Sequence, residues 1–267
     1  MIRLRTVTIA AALLLGGCLW APAAGAVTEV ATLQTSFSPD VLGASTTIGF
    51  GFHIATAEGL APPPLTSVDL HMPHGMDYTG TTLGLAICQP EKLIKEGLTG
   101  CPADSRLGSG TAIAEVPFGN GVGHELPEIQ ALMGPPTPKS NIDVLFYANG
   151  QTPVFAQLVF KGELIPASGR YGEELNTVIP PIPSVPNGPD VSIISVQTTI
   201  GPNHLVYYKY VHGRRVAFHP VGIAVPVSCP TGGFPFSANF TFGDGSTTEA
   251  TTTIPCPPPV HHHHRHK

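Results

Sequence analysis

Hydrophobic and polar residues alternate over long stretches of this chain, most regularly between Val221 and Cys256. Val221, Ile223, Val225, Val227 and Cys229 fall on odd positions. Phe236, Ala238, Phe240 and Phe242 fall on even positions, with Ser237, Asn239 and Thr241 between them. Ala250, Thr252, Ile254 and Cys256 continue the even set. A period of two predicts strands with one face on a core. The turn Gly243-Asp244-Gly245-Ser246 can be read further, because residues opposite each other in an antiparallel pair share a face. Both apolar sets are even, so opposed positions must sum to an even number. A two-residue Asp244-Gly245 loop breaks that parity. A three-residue loop, Gly243 to Gly245, keeps it and pairs Phe242 with Ser246, Ala238 with Ala250 and Phe234 with Ile254. The expectation is a type I turn with a left-handed Gly245 and a bulge.

Upstream, Ile48, Phe50, Phe52 and Ile54 form one strand face with His53 turned outward. Val68, Leu70 and Met72 form another, with Asp69 and His71 outward. Residues 142–147 and 154–160 are nearly continuous apolar runs, the pattern of strands buried on both faces. Val27 to Phe37, 111–118, 191–200 and 205–211 complete the strands. Prolines at 62–64 make a stiff connector. The proline-rich stretch 179–189 cannot lie inside a sheet and is expected to cross from one sheet to the other. One short helix is predicted near 90–97, with Pro90 at its start, Gly97 as its stop and Leu93, Ile94 and Leu98 as its packed face. About twelve strands and one helix define an all-β class. The expected architecture is a β-sandwich, one extended or two tandem Ig-like sandwiches, with long Pro/Gly-rich loops. The expected divisions are a signal peptide (1–26), an N-terminal β region (27–120), a C-terminal β region (140–256) and a disordered Pro/His-rich tail (257–267).

Composition places this fold in a compartment. Arg3 and Arg5, the apolar run 7–15 and Ala24-Gly25-Ala26 form the three parts of an export signal. The run is too short for a spanning helix, so no transmembrane segment is expected in the mature chain. Leu15-Gly16-Gly17-Cys18 resembles a bacterial lipobox, and anchoring through Cys18 is the alternative to secretion. Loss of Arg3 and Arg5 takes the formal net charge of −5 to −7, which argues against nucleic acid and anionic membrane as partners. Charged residues are 12% of the chain, about half the usual share of roughly 25%. The 30 glycines and 29 prolines among 267 residues fit a loop-rich β protein.

The four cysteines of the mature chain, Cys88, Cys101, Cys229 and Cys256, are expected to form disulfides in an exported protein. Three connectivities are open. Pairing of neighbours closes two short loops, worth roughly 3 and 3.6 kcal/mol by chain entropy. For metals, the loudest feature is the tail: His261, His262, His263, His264 and His266 could hold Zn, Ni or Cu. His71-Met72-Pro73-His74-Gly75-Met76 mixes ligands that suit copper, but alternation turns His71 and Met72 to opposite faces. His124-Glu125-Leu126-Pro127-Glu128 lacks the second histidine of a zinc-protease helix, and Pro127 would break it. Asp40, Asp69, Asp77, Asp143 and Asp190 are scattered. Tyr208 and Tyr210 share a strand face that could serve as a binding platform. No catalytic residue and no cofactor site is read from these motifs.

Leu83-Gly84-Leu85-Ala86-Ile87-Cys88-Gln89-Pro90, Gly100-Cys101-Pro102, Gly108-Ser109-Gly110, Gly233-Phe234-Pro235-Phe236 and Ile254-Pro255-Cys256-Pro257 together resemble exported actinobacterial proteins with no assigned function. The resemblance implies a secreted β protein and supplies no site residues. Residues 242–246 also resemble the hairpin of polycystic-kidney-disease-type Ig-like domains, as shared turn chemistry. The functional expectation is an exported non-catalytic extracellular or cell-envelope protein that binds an envelope or extracellular ligand through its surface. The alternatives are a secreted hydrolase of envelope or environmental polymers, with its site on loops 119–140 and 179–190, and metal capture by the tail.

Overall fold

The computed structural model of the protein describes residues 28–78, 86–118, 121–138, 142–152, 155–186, 188–201, 206–218 and 222–258. The export signal, Cys18 and the histidines of the tail lie outside them. The strands are β1 (Glu29–Ser38), β2 (Ser45–Thr56), β3 (Leu65–Pro73), β4 (Asp77–Tyr78), β5 (Arg106–Phe118), β6 (Gly121–Glu125), β7 (Glu128–Gly134) and β8 (Ile142–Gly150). They continue with β9 (Ala156–Pro166), β10 (Tyr171–Val178), β11 (Ser192–Ile200), β12 (Tyr207–Val211), β13 (Arg214–Phe218), β14 (Ile223–Ala224), β15 (Phe234–Phe242) and β16 (Thr247–Ile254). The helix α1 spans Pro90–Glu96.

The class is all-β, as the alternation predicts, and the strands join into one antiparallel 14-stranded sheet. Its order is β16-β15-β3-β10-β9-β8-β7-β5-β11-β2-β14-β4, with β1 also on β2 and β6 on β5. Strands from both halves of the chain interleave: β3 lies between β10 and β15, and β2 pairs with β11. β1, beyond β2 at one side, runs beside β16 at the other. The sheet therefore curls round on itself and encloses an interior.

One side of that interior is filled with aromatic rings. Phe37 meets Phe234 and Phe236 at centroid distances of 5.5 and 5.9 Å, and Phe52 meets Phe240 at 5.0 Å. Phe234, Phe236 and Phe240 are fully buried. The predicted register of the last hairpin is found: Phe234 opposes Ile254 and Ala238 opposes Ala250. Phe242 N–H donates to Ser246 O at 3.0 Å, and Gly245 sits at φ +88°.

Both disulfides join neighbours, Cys88–Cys101 and Cys229–Cys256. The first ties the flanks of α1 together on the outer face of the sheet. There Cys88 and Leu93 pack on Leu132, Leu145 and Tyr147. This explains the continuous apolar run in β8. Its odd positions Leu145 and Tyr147 lie under the helix, while its even positions Val144 and Phe146 face the interior.

Three expectations need correction. Ile94 is 68% exposed, because a helix this short presents one narrow stripe, which Leu93 fills. The strand expected over 221–229 is confined to Ile223–Ala224. Pro226 has no N–H to donate, and Val227 is 83% exposed. Residues 121–125 and 128–134, read as part of a loop excursion, are strands β6 and β7.

Candidate functional site: the apolar interior

Opposite the phenylalanine-packed side, the sheet is hollow. The cavity measures about 190 Å³. Its wall takes alternate residues from nearly every strand around the ring, among them Phe50 and Phe52 of β2, Leu70 of β3, Ala112 of β5, Phe146 of β8, Phe160 of β9 and Val196 of β11. Strand number is the physical reason. A closed sheet of about eight strands is just wide enough for its side chains to meet, and a wider one leaves a lumen. Here the small inward residues Ala112, Ala114, Ala148 and Gly150 leave the middle unfilled. Phe146 and Phe160 stack at 5.2 Å along one wall.

The proline-rich segment closes one end. It leaves β10 and enters β11, which lie on opposite walls of the ring, so the expected crossing occurs between two parts of one sheet. Ile179, Ile182, Pro183 and Val191 face the cavity from this segment. Backbone bonds hold it in place: Ile179 N–H donates to Thr66 O and Val191 N–H to Ile182 O, both at 2.8 Å. The Ser192 hydroxyl adds a bond to Pro62 O at 2.6 Å.

Polar groups on the wall are few. Thr198 Oγ1 donates to Phe50 O at 3.3 Å. At the far end Tyr78 donates to the sulfurs of Met72 and Met76 at 3.0 and 3.2 Å. Burial, with the charge of Glu173 adding to it, pushes the Tyr78 phenol up. Burial likewise raises Glu173, against the pull of His74. The copper-like motif thus resolves into two parts. Its methionines meet Tyr78 inside, while His71 Nε2 pairs with Glu174 at 3.2 Å and its ring lies by Tyr171. Thr177 and Glu125 are the other polar residues on the wall.

The other expected chemistry is dispersed. Among the described residues no three His, Cys, Asp or Glu side chains gather as metal ligands. Asp69 accepts from Asn176 at 2.6 Å; burial raises it, opposed by that bond and by His71. Asp143, 1% exposed, is met by Lys161 at 3.0 Å. Burial works against the Lys161 charge, but Glu163 and Asp143 outweigh it and hold the lysine above its ordinary value. Tyr208 and Tyr210 do stand exposed together, on the β12–β13 hairpin outside the main sheet. Arg215 lies 3.7 Å above the Tyr208 ring. An outer groove lined by Gln34, Ser36, Gln130 and Gln197 is floored by Gly49 and Gly51. Ser36 and Gln197 already fill the space above those glycines. No family model, curated protein or solved structure matches the chain.

Proposed function

We propose that the protein is an exported, non-catalytic binding protein that holds one apolar molecule, of the acyl-chain or isoprenoid kind, inside its curled sheet. The observation that carries this is the predominantly apolar wall contributed by strands around the cavity. Such a void excludes water and takes an apolar guest, because water there would have few polar partners. Two disulfides support an oxidising destination. The test is titration of the mature chain with the neutral fluorophore N-phenyl-1-naphthylamine, followed by competition with alcohols of increasing chain length. Saturable fluorescence and affinity that rises with chain length are expected. Absence of saturable binding sinks the reading.

Surface binding, the second reading, has its own observation in the β12–β13 hairpin. Tyr208 and Tyr210 are 54% and 76% exposed, and Lys209, Arg214 and Arg215 sit beside them. No Asp or Glu occurs between Asp190 and Asp244, so this region opposes the chain's net negative charge. The hairpin would serve contact with an anionic surface of the envelope. Co-sedimentation with anionic but not neutral vesicles, weakened by Arg214→Ser with Arg215→Ser, is the expected result. Equal sedimentation with both vesicle types would remove it.

A further inference from the structure

The groove on the outer face lies across the strands, and register sets its residues in rows. Gln34 of β1 opposes Gly51 of β2. Gly51 opposes Gln197 of β11, and Gln197 opposes Thr111 of β5. The row continues through Glu128 of β7, Asn149 of β8 and Gln157 of β9. Directly opposed residues share a face. At roughly 4.8 Å per strand the row is about 29 Å long. A second row runs beside it through Ser36, Gly49, Thr199, Ser109 and Gln130. It ends at Tyr147, under α1. The two glycines are required here: a Cβ on Gly51 would strike the Gln197 amide, and one on Gly49 the Ser36 hydroxyl. Those side chains lie down over β2, and the groove above them measures about 670 Å³.

Elsewhere on the sheet polar side chains pair off: Asp69 with Asn176, His71 with Glu174, and Lys161 with Asp143 and Glu163. In the groove, the side chains of Gln34, Ser36, Ser109, Thr111, Gln130 and Gln197 make no hydrogen bond to another described residue. From this placement we infer that the groove binds a neutral polysaccharide chain laid across the strands. Amides and hydroxyls both donate and accept, as a row of sugar hydroxyls demands. Glu128 is the one ionisable side chain lining the groove among the described residues, so a polyanion meets no cation there. A protein interface is usually anchored by aromatic or arginine side chains. The exposed side chains here are Gln, Ser, Thr and Glu alone. The site lies on the outer face of the sheet, and it stands or falls independently of the apolar-guest reading.

The test is affinity electrophoresis of the mature chain through native gels containing mixed-linkage β-glucan, dextran or galactomannan. Polygalacturonate and heparin serve as anionic counterparts. Retardation by at least one neutral polysaccharide and by neither polyanion is expected. Gln34→Ala with Gln197→Ala should weaken that retardation about tenfold. Ser109→Ala with Thr111→Ala is a second pair with the same expectation, and decides alone if the first does not fold. Glu249→Gln, on the outer face of β16, should leave retardation unchanged. All four substituted groove residues are exposed, so the thermal midpoint and N-phenyl-1-naphthylamine affinity should match wild type. These two readouts separate loss of the groove from loss of the fold or the cavity. No retardation by any of the three neutral polysaccharides overturns the inference. Retardation by the polyanions equal to that by the neutral chains also overturns it, as does undiminished retardation in a folded pair variant.

Discussion

At the scale of single residues, Asp244 and Gly245 fix the last hairpin. Asp244 accepts from the backbone N–H of Ser246 at 2.9 Å and from its hydroxyl at 2.7 Å. These bonds hold its carboxyl below the ordinary value of 3.8. A depressed folded value means that the turn's contribution is present above about pH 4 and is lost as pH falls through the folded value. Asp244→Asn should flatten the dependence of the thermal midpoint in that acid window, and an unchanged slope would refute the role. Gly245 has open space around its Cα, so Gly245→Ala is expected to cost about 1 kcal/mol from backbone conformation alone. Urea unfolding measures it, and a neutral result would contradict the left-handed assignment. This turn was legible in the sequence because parity and turn chemistry are both local. The same parity would have placed Glu125 inward, given the pairing of Phe118 with Gly121. What hid it was the polar look of His124-Glu125 next to Pro127, which reads as a loop. Val227 failed for the opposite reason: alternation continued through Pro226, where strand pairing could not.

At the scale of elements, α1 shows how a tethered helix protects a sheet. Leu93 is fully buried, while Ile94 beside it is 68% exposed. Leu93→Ala should cost about 2–5 kcal/mol, and Ile94→Ala should stay within about 0.5 kcal/mol. Equal urea midpoints for the two variants would contradict the observed face. The sequence revealed the helix, its proline start and its glycine stop. It did not reveal which of two adjacent apolar residues points at β8, because that depends on how the Cys88–Cys101 bridge sets the helix on Leu132 and Leu145. The double apolar face of β8 was legible as a continuous run. That one face meets a helix and the other a cavity was not, since both demand the same residue types.

At the scale of the whole molecule, the all-β class was legible, but the closure of the strands into one ring was not. Pairing between β3 and β15 joins segments far apart in the chain, and no local pattern encodes it. The hollow is a consequence of that ring and of where large side chains are spent. The phenylalanines of β15 fill the side near that strand, while the small residues Ala112, Ala114, Ala148 and Gly150 leave space on the other. Ala148→Phe should therefore weaken fluorophore binding at least tenfold while the thermal midpoint is kept or raised, because the added ring occupies space the guest would use. Undiminished affinity in the folded variant would move the binding site elsewhere.

The position of β3 between β10 and β15 also governs when this chain can fold. Contacts of such high order are slow to form, because the loop entropy is lost before the pairing rewards it. During synthesis or transit of the chain N-terminus first, β1 to β11 have no closed sheet to join. The ring waits for residues 234–254, the last strands to arrive. Refolding from urea should accordingly be slow, and a chain ending before Phe234 should stay open and protease-sensitive. Rapid refolding of that shortened chain to a resistant form would show that β15 and β16 are not needed to complete the ring.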